Sequence, residues 1–148
     1  MRRYLAIAGA AACLASLVAV ASAAPRADTK YAGSTSQGNR ASLWTDADGT
    51  AVRAFSIRRE FKCGAQTAAG VFRQSSGIMV VRPTGRFWGH DDVRPSRGGE
   101  ISRGEFTIRG KFGRRGNVVR GTYRERVRLK DGSRCDTGVI RYRIKARN

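Results

Sequence analysis

The chain has 148 residues, of which 41% are hydrophobic and 27% charged, and its Lys and Arg residues outnumber its acids to give a net charge of +18. A chain of this size holds one domain with one core, which excludes a multidomain architecture. So strong a positive charge predicts attraction to polyanions such as nucleic acid, cell-wall phosphate polymers or acidic lipid heads, and it favours none of them over the others.

The chain starts like a secretory signal peptide. Arg2 and Arg3 form a charged start, Leu5 to Val20 an apolar stretch, and Ala21-Ser22-Ala23 a cleavage site of small residues. A transmembrane anchor is the alternative, but this stretch is short and weakly apolar for a span. We therefore predict that residues 1–23 are removed, that the protein is secreted or held at the cell surface, and that no transmembrane segment remains after processing.

Two cysteines remain after this removal, Cys63 and Cys135. In an exported chain an even pair is expected to be oxidised, and closing a loop of about 70 residues stabilises a fold by roughly 4 kcal/mol. Two buried thiols are the alternative. The single His90 and two cysteines do not make a four-ligand zinc set, so we predict neither a metal nor another cofactor.

The rest of the chain is predicted to be a flexible leader, residues 24–30, followed by a single β-domain, residues 31–148. Short apolar stretches bounded by Gly, Pro, Asn and Asp predict strands, and nothing reaches the length or the 3.6-residue period of a helix. The predicted strands are 31–38 (a strand or a turn), 41–45, 51–59, 78–81, 85–89 (a strand or an aromatic-bearing turn) and 106–112. Residues 78–81 are expected to be buried, 64–77 to hold at most a short strand, and 90–99 to form a mobile surface loop.

The strongest structural prediction is a C-terminal hairpin. Its strands are Asn117 to Lys130 and Arg134 to Arg147, which alternate apolar and basic residues, and Asp131-Gly132 predicts a two-residue type I′ turn. Counting outwards from that turn gives the register. The predicted opposite pairs are Val119 with Ile144, Gly121 with Tyr142, and Tyr123 with Ile140 on the inner face, and Arg120 with Arg143, Thr122 with Arg141, and Arg128 with Cys135 on the outer face.

Together these elements predict an all-β fold with seven to nine short strands and one disulfide. Strands of this length and spacing are typical of an antiparallel sandwich or a small barrel. Glycines placed two residues before a large ring favour a strongly coiled sheet or barrel, because they relieve crowding where strands bend. These Gly-x-ring elements are Gly85-Phe87, Gly104-Phe106, Gly110-Phe112 and Gly121-Tyr123.

The outer face of the hairpin is the best functional lead, because eight of its residues are basic. Like charges opposite each other destabilise a sheet, so their presence indicates either an anionic partner or an edge kept soluble by charge. Tyr123 and Tyr142 point to the other face, so specific nucleic-acid recognition is not expected. The candidate anion-binding residues are Arg120, Arg124, Arg126, Arg128, Arg141, Arg143 and Lys145, with Arg147 on the same face.

Catalysis has weaker support. His90-Asp91-Asp92 brings an imidazole and two carboxylates together, which is typical of acid–base or metal chemistry, but a surface ion-pair cluster is the more ordinary interpretation. Glu125 falls on the apolar face of the hairpin, where a carboxylate needs a partner or a raised pKa; alternatively, the strand end has emerged into water there. Neither arrangement selects catalytic residues.

Four motifs, taken in order, carry a family resemblance. They are Tyr31-x-Gly33-x-Thr35-Ser36-Gln37-Gly38, the central Cys63, Gly85-Arg86-Phe87, and Asp131-Gly132-Ser133-x-Cys135-Asp136-Thr137-Gly138. The chain resembles a family of small exported bacterial all-β domains of uncharacterised function. The resemblance implies export, a single domain and a bridge between Cys63 and Cys135, and it implies no activity.

The function that these observations favour is a non-enzymatic exported binding module, with a basic face for anionic cell-envelope polymers. One alternative is a small secreted hydrolase that uses carboxylates in or near the stretch from His90 to Glu100. Another is an inhibitor or scaffold that binds a second exported protein through that stretch. The sequence predicts no oligomeric state.

Overall fold

The computed structural model describes residues 23–75, 78–93 and 99–147, so most of the predicted signal peptide lies outside the described residues. Within these ranges the chain forms ten β-strands and no helix. The strands are β1 (Lys30–Thr35), β2 (Arg40–Thr45), β3 (Ala51–Cys63), β4 (Gln66–Gln74), β5 (Met79–Val80), β6 (Arg86–Asp92), β7 (Ile101–Phe112), β8 (Val118–Leu129), β9 (Arg134–Asp136) and β10 (Ile140–Ala146).

Antiparallel pairing closes a barrel. The strands β1, β2, β3, β9, β8 and β10 form a ring, because β10 pairs with both β1 and β8. From β8 the sheet continues outwards through β7 to β6, while β4 and β5 pair with β3. The all-β prediction is confirmed, and of its two alternatives the barrel is the one observed.

The core consists of the inward residues of these strands. Tyr31, Ile108, Val119, Tyr123 and Ile144 are completely buried, and burying a side chain of this kind stabilises a fold by about 1.5–3 kcal/mol. Aromatic side chains also connect the outlying strands β4 and β7 to each other and to the six-stranded barrel. The ring pairs include Phe72 with Phe106 at 4.5 Å, Phe72 with Tyr123 at 5.3 Å and Phe55 with Tyr142 at 5.4 Å between centroids.

The predicted register of the hairpin is confirmed over β8 and β10. Val119 lies opposite Ile144 and Tyr123 opposite Ile140. Gly121 lies opposite Tyr142, and a Cβ atom added there would overlap the Tyr142 ring and the Arg109 carbonyl oxygen. The space left by the missing side chain of Gly121 is therefore filled by a ring from the opposite strand, that of Tyr142, and not by the ring of Tyr123 that the Gly-x-ring pattern pairs with this glycine.

The turn prediction was wrong, and with it the register next to the turn. Leu129 N–H donates to Ser133 O at 2.8 Å, so the turn contains three residues. Gly132 has a φ of 88°, but Asp131 lacks the positive φ that a type I′ turn needs. Cys135 consequently lies opposite Val127 and is buried, whereas Arg128 lies opposite Arg134.

Residues 137–139 restore the predicted register. They separate β9 from β10 without joining either strand, and Gly138 has a φ of 63°. One extra residue in a strand reverses the inward and outward positions beyond it. This irregularity therefore offsets the longer turn, and it is why Cys135 and Ile140 both face inwards although their numbers differ in parity.

Strand β4 was missed over most of its length. It pairs along the second half of β3, from Gln74 opposite Phe55 to Gln66 opposite Cys63, and β3 itself continues to Cys63. β4 lies at an outer edge of the sheet, where most of its residues are exposed. An edge strand of small and polar residues lacks the apolar alternation by which a strand is predicted.

Two further predictions, for residues 78–81 and 90–99, were wrong. In the predicted buried strand at residues 78–81 only Met79 is buried, and Ile78 and Val80 are exposed, because just two residues pair with β3. The predicted mobile loop at residues 90–99 begins too early, since β6 includes His90 to Asp92 through pairing with β7. Residues 94–98 of that predicted loop lie outside the described residues.

The segment predicted as a leader makes hydrogen bonds at one end of the barrel. Thr45 Oγ1 donates to Arg26 O at 2.7 Å, and Asp28 N–H donates to Asp46 O at 2.7 Å. The Tyr31 hydroxyl donates to Gly116 O at 2.6 Å beneath this segment. Its flexibility stays a prediction.

The predicted disulfide is confirmed. Cys63 ends β3 and lies directly opposite Cys135 on β9, and the two are joined. The bond ties two strands of the ring together and fits an oxidising compartment.

Candidate anion-binding face

The outer surface of β6, β7, β8, β9 and β10 forms the candidate site. Every candidate anion-binding residue of the hairpin alternates there with a residue of the inner face, for example Arg120 with Val119 and Arg143 with Ile144. Arg120, Arg126, Arg141, Arg143, Lys145 and Arg147 are exposed, and Arg124 and Arg128 are half-buried.

Four basic residues lie side by side across four neighbouring strands. Arg86 on β6 is opposite Lys111 on β7, which is opposite Arg120 on β8, which is opposite Arg143 on β10. We call these four residues the cation row. With strands about 4.8 Å apart, the row extends about 14 Å across the sheet. The sequence predicted Arg120 opposite Arg143 but not the other half of the row, because the alternation within β6 and β7 does not define how these strands pair with β8.

The cation row has no acidic partner. Five ion pairs join the described residues, and none involves a member of the row. All 11 acidic residues of the chain lie within the described ranges. The four side chains are therefore free to bind an external anion.

Arg124 and Arg126, by contrast, are already paired. Arg124 Nη2 lies 2.6 Å from Asp136 Oδ2, while Arg126 lies 3.4 Å from Asp136 and 3.3 Å from Glu105. The hydrogen bond from Arg124 holds the pKa of Asp136 below its usual value. These two predicted binding residues are thus paired with two acids, Asp136 and Glu105, that the sequence analysis did not assign to them.

Three more cations lie at the far end of the same face. Arg103, Arg128 and Arg134 are opposite one another on β7, β8 and β9. They line a groove together with Val93 and Ser102. A strip of acids and arginines, containing Asp92, Glu105, Arg126 and Asp136, therefore separates this group from the cation row.

Between these rows lies an exposed tryptophan. Trp88 on β6 is opposite Arg109 on β7, followed by Thr122 on β8 and Arg141 on β10. Trp88 is 57% exposed. Lys145, the remaining predicted residue, lies on β10 two residues beyond Arg143 of the cation row, opposite Val118 and Ala32.

The three residues suspected of catalysis or metal binding lie at the end of β6 and are exposed. His90 Nδ1 is 3.1 Å from Thr107 Oγ1, and Asp91 accepts a hydrogen bond from the following N–H. In the part of the chain that the structure describes, no group of three or more His, Cys, Asp or Glu residues is arranged to hold a metal ion.

Glu125 is completely buried and fully partnered. Arg59 donates to both carboxylate oxygens, from Nε at 2.6 Å and from Nη2 at 2.9 Å, and the Tyr123 hydroxyl donates to Oε2. Burial, followed by the neighbouring Glu125 charge, raises the pKa of Tyr123 well above its usual value. A carboxylate held in this way inside the core is not open to a substrate. Arg59 could not be assigned from the sequence, since many arginines were available.

No protein-family model, curated protein or solved structure matches the chain. The resemblance to small exported bacterial β-domains therefore stays a prediction. Over the described ranges, no helix has the length and apolar character needed to cross a membrane.

Proposed function

We propose that the protein is an exported, non-enzymatic binding module that attaches through its basic face to an anionic polymer. The observation that carries this proposal is the cation row, Arg86, Lys111, Arg120 and Arg143, in which four like charges lie side by side without an acid. Such neighbours destabilise a sheet unless a counter-charge is supplied from outside. A polymer with regularly spaced charges supplies several at once and releases its own counter-ions.

Export is part of the same proposal. It is supported by the signal-peptide pattern of residues 1–23 and by the disulfide between Cys63 and Cys135, which fits an oxidising compartment. Anionic cell-envelope polymers and released nucleic acid both carry suitable charges. Charge alone does not separate them.

The experiment uses long-chain inorganic polyphosphate, a probe that carries charge and nothing else. We expect Arg120→Glu with Arg143→Glu to weaken binding at least tenfold and to flatten its dependence on salt concentration, because fewer counter-ions are released. The matched control is Arg58→Glu with Arg73→Glu, two exposed arginines on β3 and β4 that change the net charge equally. Equal binding by the two double variants would show that net charge alone attracts the polymer, and would refute the assigned face.

The hydrolase alternative has a simple test of its own. Asp91, Asp92 and Glu100 are the exposed carboxylates of the stretch from His90 to Glu100, whereas Glu125 is enclosed in the core. The non-enzymatic proposal would be overturned if the protein hydrolysed a secreted polymer and the Asp91→Asn substitution abolished that hydrolysis.

A further inference from the structure

Trp88 is a large apolar side chain exposed on β6, the edge strand of the basic face. It lies directly opposite Arg109 and two residues from Arg86 on the same face of β6. Opposite residues are about 5 Å apart, and residues two apart on one strand about 7 Å apart. The ring of Trp88 is therefore within reach of the same ligand as at least two cations.

The other tryptophan of the chain differs in this respect. Trp44 on β2 is 40% exposed, and the Lys30 ammonium lies 4.6 Å from the centre of its ring. Among the described residues, no ring and no cation contacts the Trp88 ring in this way. The face of Trp44 is occupied by its own chain, whereas that of Trp88 is open to a ligand.

One shallow depression is lined by Trp88, by Arg109 and by three of the four members of the cation row. Its lining includes Arg86, Trp88, Arg109, Lys111, Arg120 and Thr122. An extended ligand in this depression contacts a ring and several positive charges at once. Polymers that alternate flat rings with phosphodiesters fit that combination, because aromatic side chains stack on bases while cations follow the backbone.

We propose that this face binds single-stranded nucleic acid without sequence preference, with a base stacked on Trp88 and the phosphates on Arg109 and the cation row. The inference rests on the proposed function, because it names the polymer for the same face. A single strand is required, since bases paired in a duplex do not offer their faces to a side chain. Sequence preference is not expected, since every base has a flat face and the other rings of β8 and β10, Tyr123 and Tyr142, are buried.

The experiment compares two probes of equal length and charge, an oligothymidylate and an abasic oligomer with the same sugar–phosphate backbone. We expect the oxidised protein to bind the oligothymidylate about tenfold more tightly. Trp88→Ala is expected to remove that difference and to leave binding of the abasic oligomer unchanged. Trp88→Phe retains a ring and is expected to restore most of the difference, and Trp44→Ala, the matched control, is expected to preserve it.

A direct optical measurement accompanies the affinities. In a Trp44→Phe protein the only tryptophan is Trp88, because the chain contains two. We expect its fluorescence to be quenched by the oligothymidylate and not by the abasic oligomer, since only a stacked base contacts the indole.

The outcomes separate the two proposals. Equal affinity for both probes, combined with sensitivity to the Arg120→Glu and Arg143→Glu pair, would overturn stacking and leave the proposed function intact. A base preference that survives Trp88→Ala, or equally tight binding of a duplex, would also overturn it. Failure to bind either probe or polyphosphate would overturn both proposals.

Discussion

The buried ion pair of the barrel, Arg59 with Glu125, forms one hydrogen-bonded unit with the neutral Tyr123 hydroxyl. The guanidinium and the carboxylate make two hydrogen bonds, and the guanidinium also lies 4.8 Å from the centre of the Phe61 ring. Gly70 leaves room for it, since a Cβ atom there would lie 3.0 Å from Arg59 Nη1. Removing one member leaves the others charged or unsatisfied in a dry interior.

We therefore expect Glu125→Gln to lower the free energy of unfolding by about 3–5 kcal/mol, because it leaves the Arg59 charge buried without a counter-charge. Urea denaturation followed by circular dichroism measures this loss. Replacing both partners, with Arg59→Met and Glu125→Leu, is expected to cost less than Glu125→Gln alone. Arg58→Met, at the exposed neighbour, is the control. A loss below about 1 kcal/mol for Glu125→Gln would mean that water reaches the pair.

Asp136 limits the basic face, because it holds Arg124 and Arg126. We expect Asp136→Asn to raise the affinity for polyphosphate several-fold by releasing the Arg124 guanidinium, whereas Arg126 keeps its ion pair with Glu105. Asp48→Asn, which makes the same charge change in the turn between β2 and β3, is the control. If both variants gain equally, the gain comes from net charge rather than from the released arginine.

The same variant has a defined effect on pH dependence. Because Arg124 lowers the pKa of Asp136 in the folded protein, the contribution of this carboxylate to stability is present above its unfolded pKa of about 3.9 and is lost as the pH falls through the lower folded value. Stability measured from pH 5 downwards should fall less steeply for Asp136→Asn than for the parent. An unchanged slope would show that the pair adds nothing in solution.

At the scale of single strands, the predictions succeeded where side chains alternate strictly. In β8 and β10 a one-residue slip would move every apolar side chain into water, so the pattern determines the register. In β4 no such penalty exists, because few of its side chains are buried on either face. The cation row was half predicted for a related reason: Arg120 and Arg143 share a hairpin, while Arg86 and Lys111 reach them only through the pairing of β6, β7 and β8.

Gly121 tests how closely β8 packs on the interior. We expect Gly121→Ala to lower the free energy of unfolding by about 1–3 kcal/mol, because the methyl group overlaps the Tyr142 ring and a backbone oxygen of β7. Gly113→Ala is the control, since its nearest neighbour would be Val118 O at 3.6 Å. Thermal melts of the two variants give the comparison, and equal melting temperatures would contradict the packing described for the Tyr142 ring.

For the molecule as a whole, composition predicted the sign of the surface charge but not its distribution. On the outer surface of β6 to β10, the basic residues form two groups with acids between them, the cation row and the group of Arg103, Arg128 and Arg134. That arrangement depends on which residues of five strands become neighbours. From the sequence, only the neighbours within the hairpin could be predicted. The exposure of Trp88 was indicated by the sequence, since the Gly85-Phe87 element places Phe87 on the inner face, but the position of Arg109 opposite it was not.

The three-residue turn and the irregularity at residues 137–139 have a joint consequence. A chain of identical length could instead form the shorter turn and an uninterrupted second strand, and the aromatic pairs of β8 and β10 would be unchanged. In that competing arrangement Cys135 would point to solvent, out of reach of Cys63, and Asp136 would take its place inside. We therefore expect the disulfide to close only in molecules in which both irregularities have formed, because only they bring Cys135 opposite Cys63, and then to hold the chain in that register.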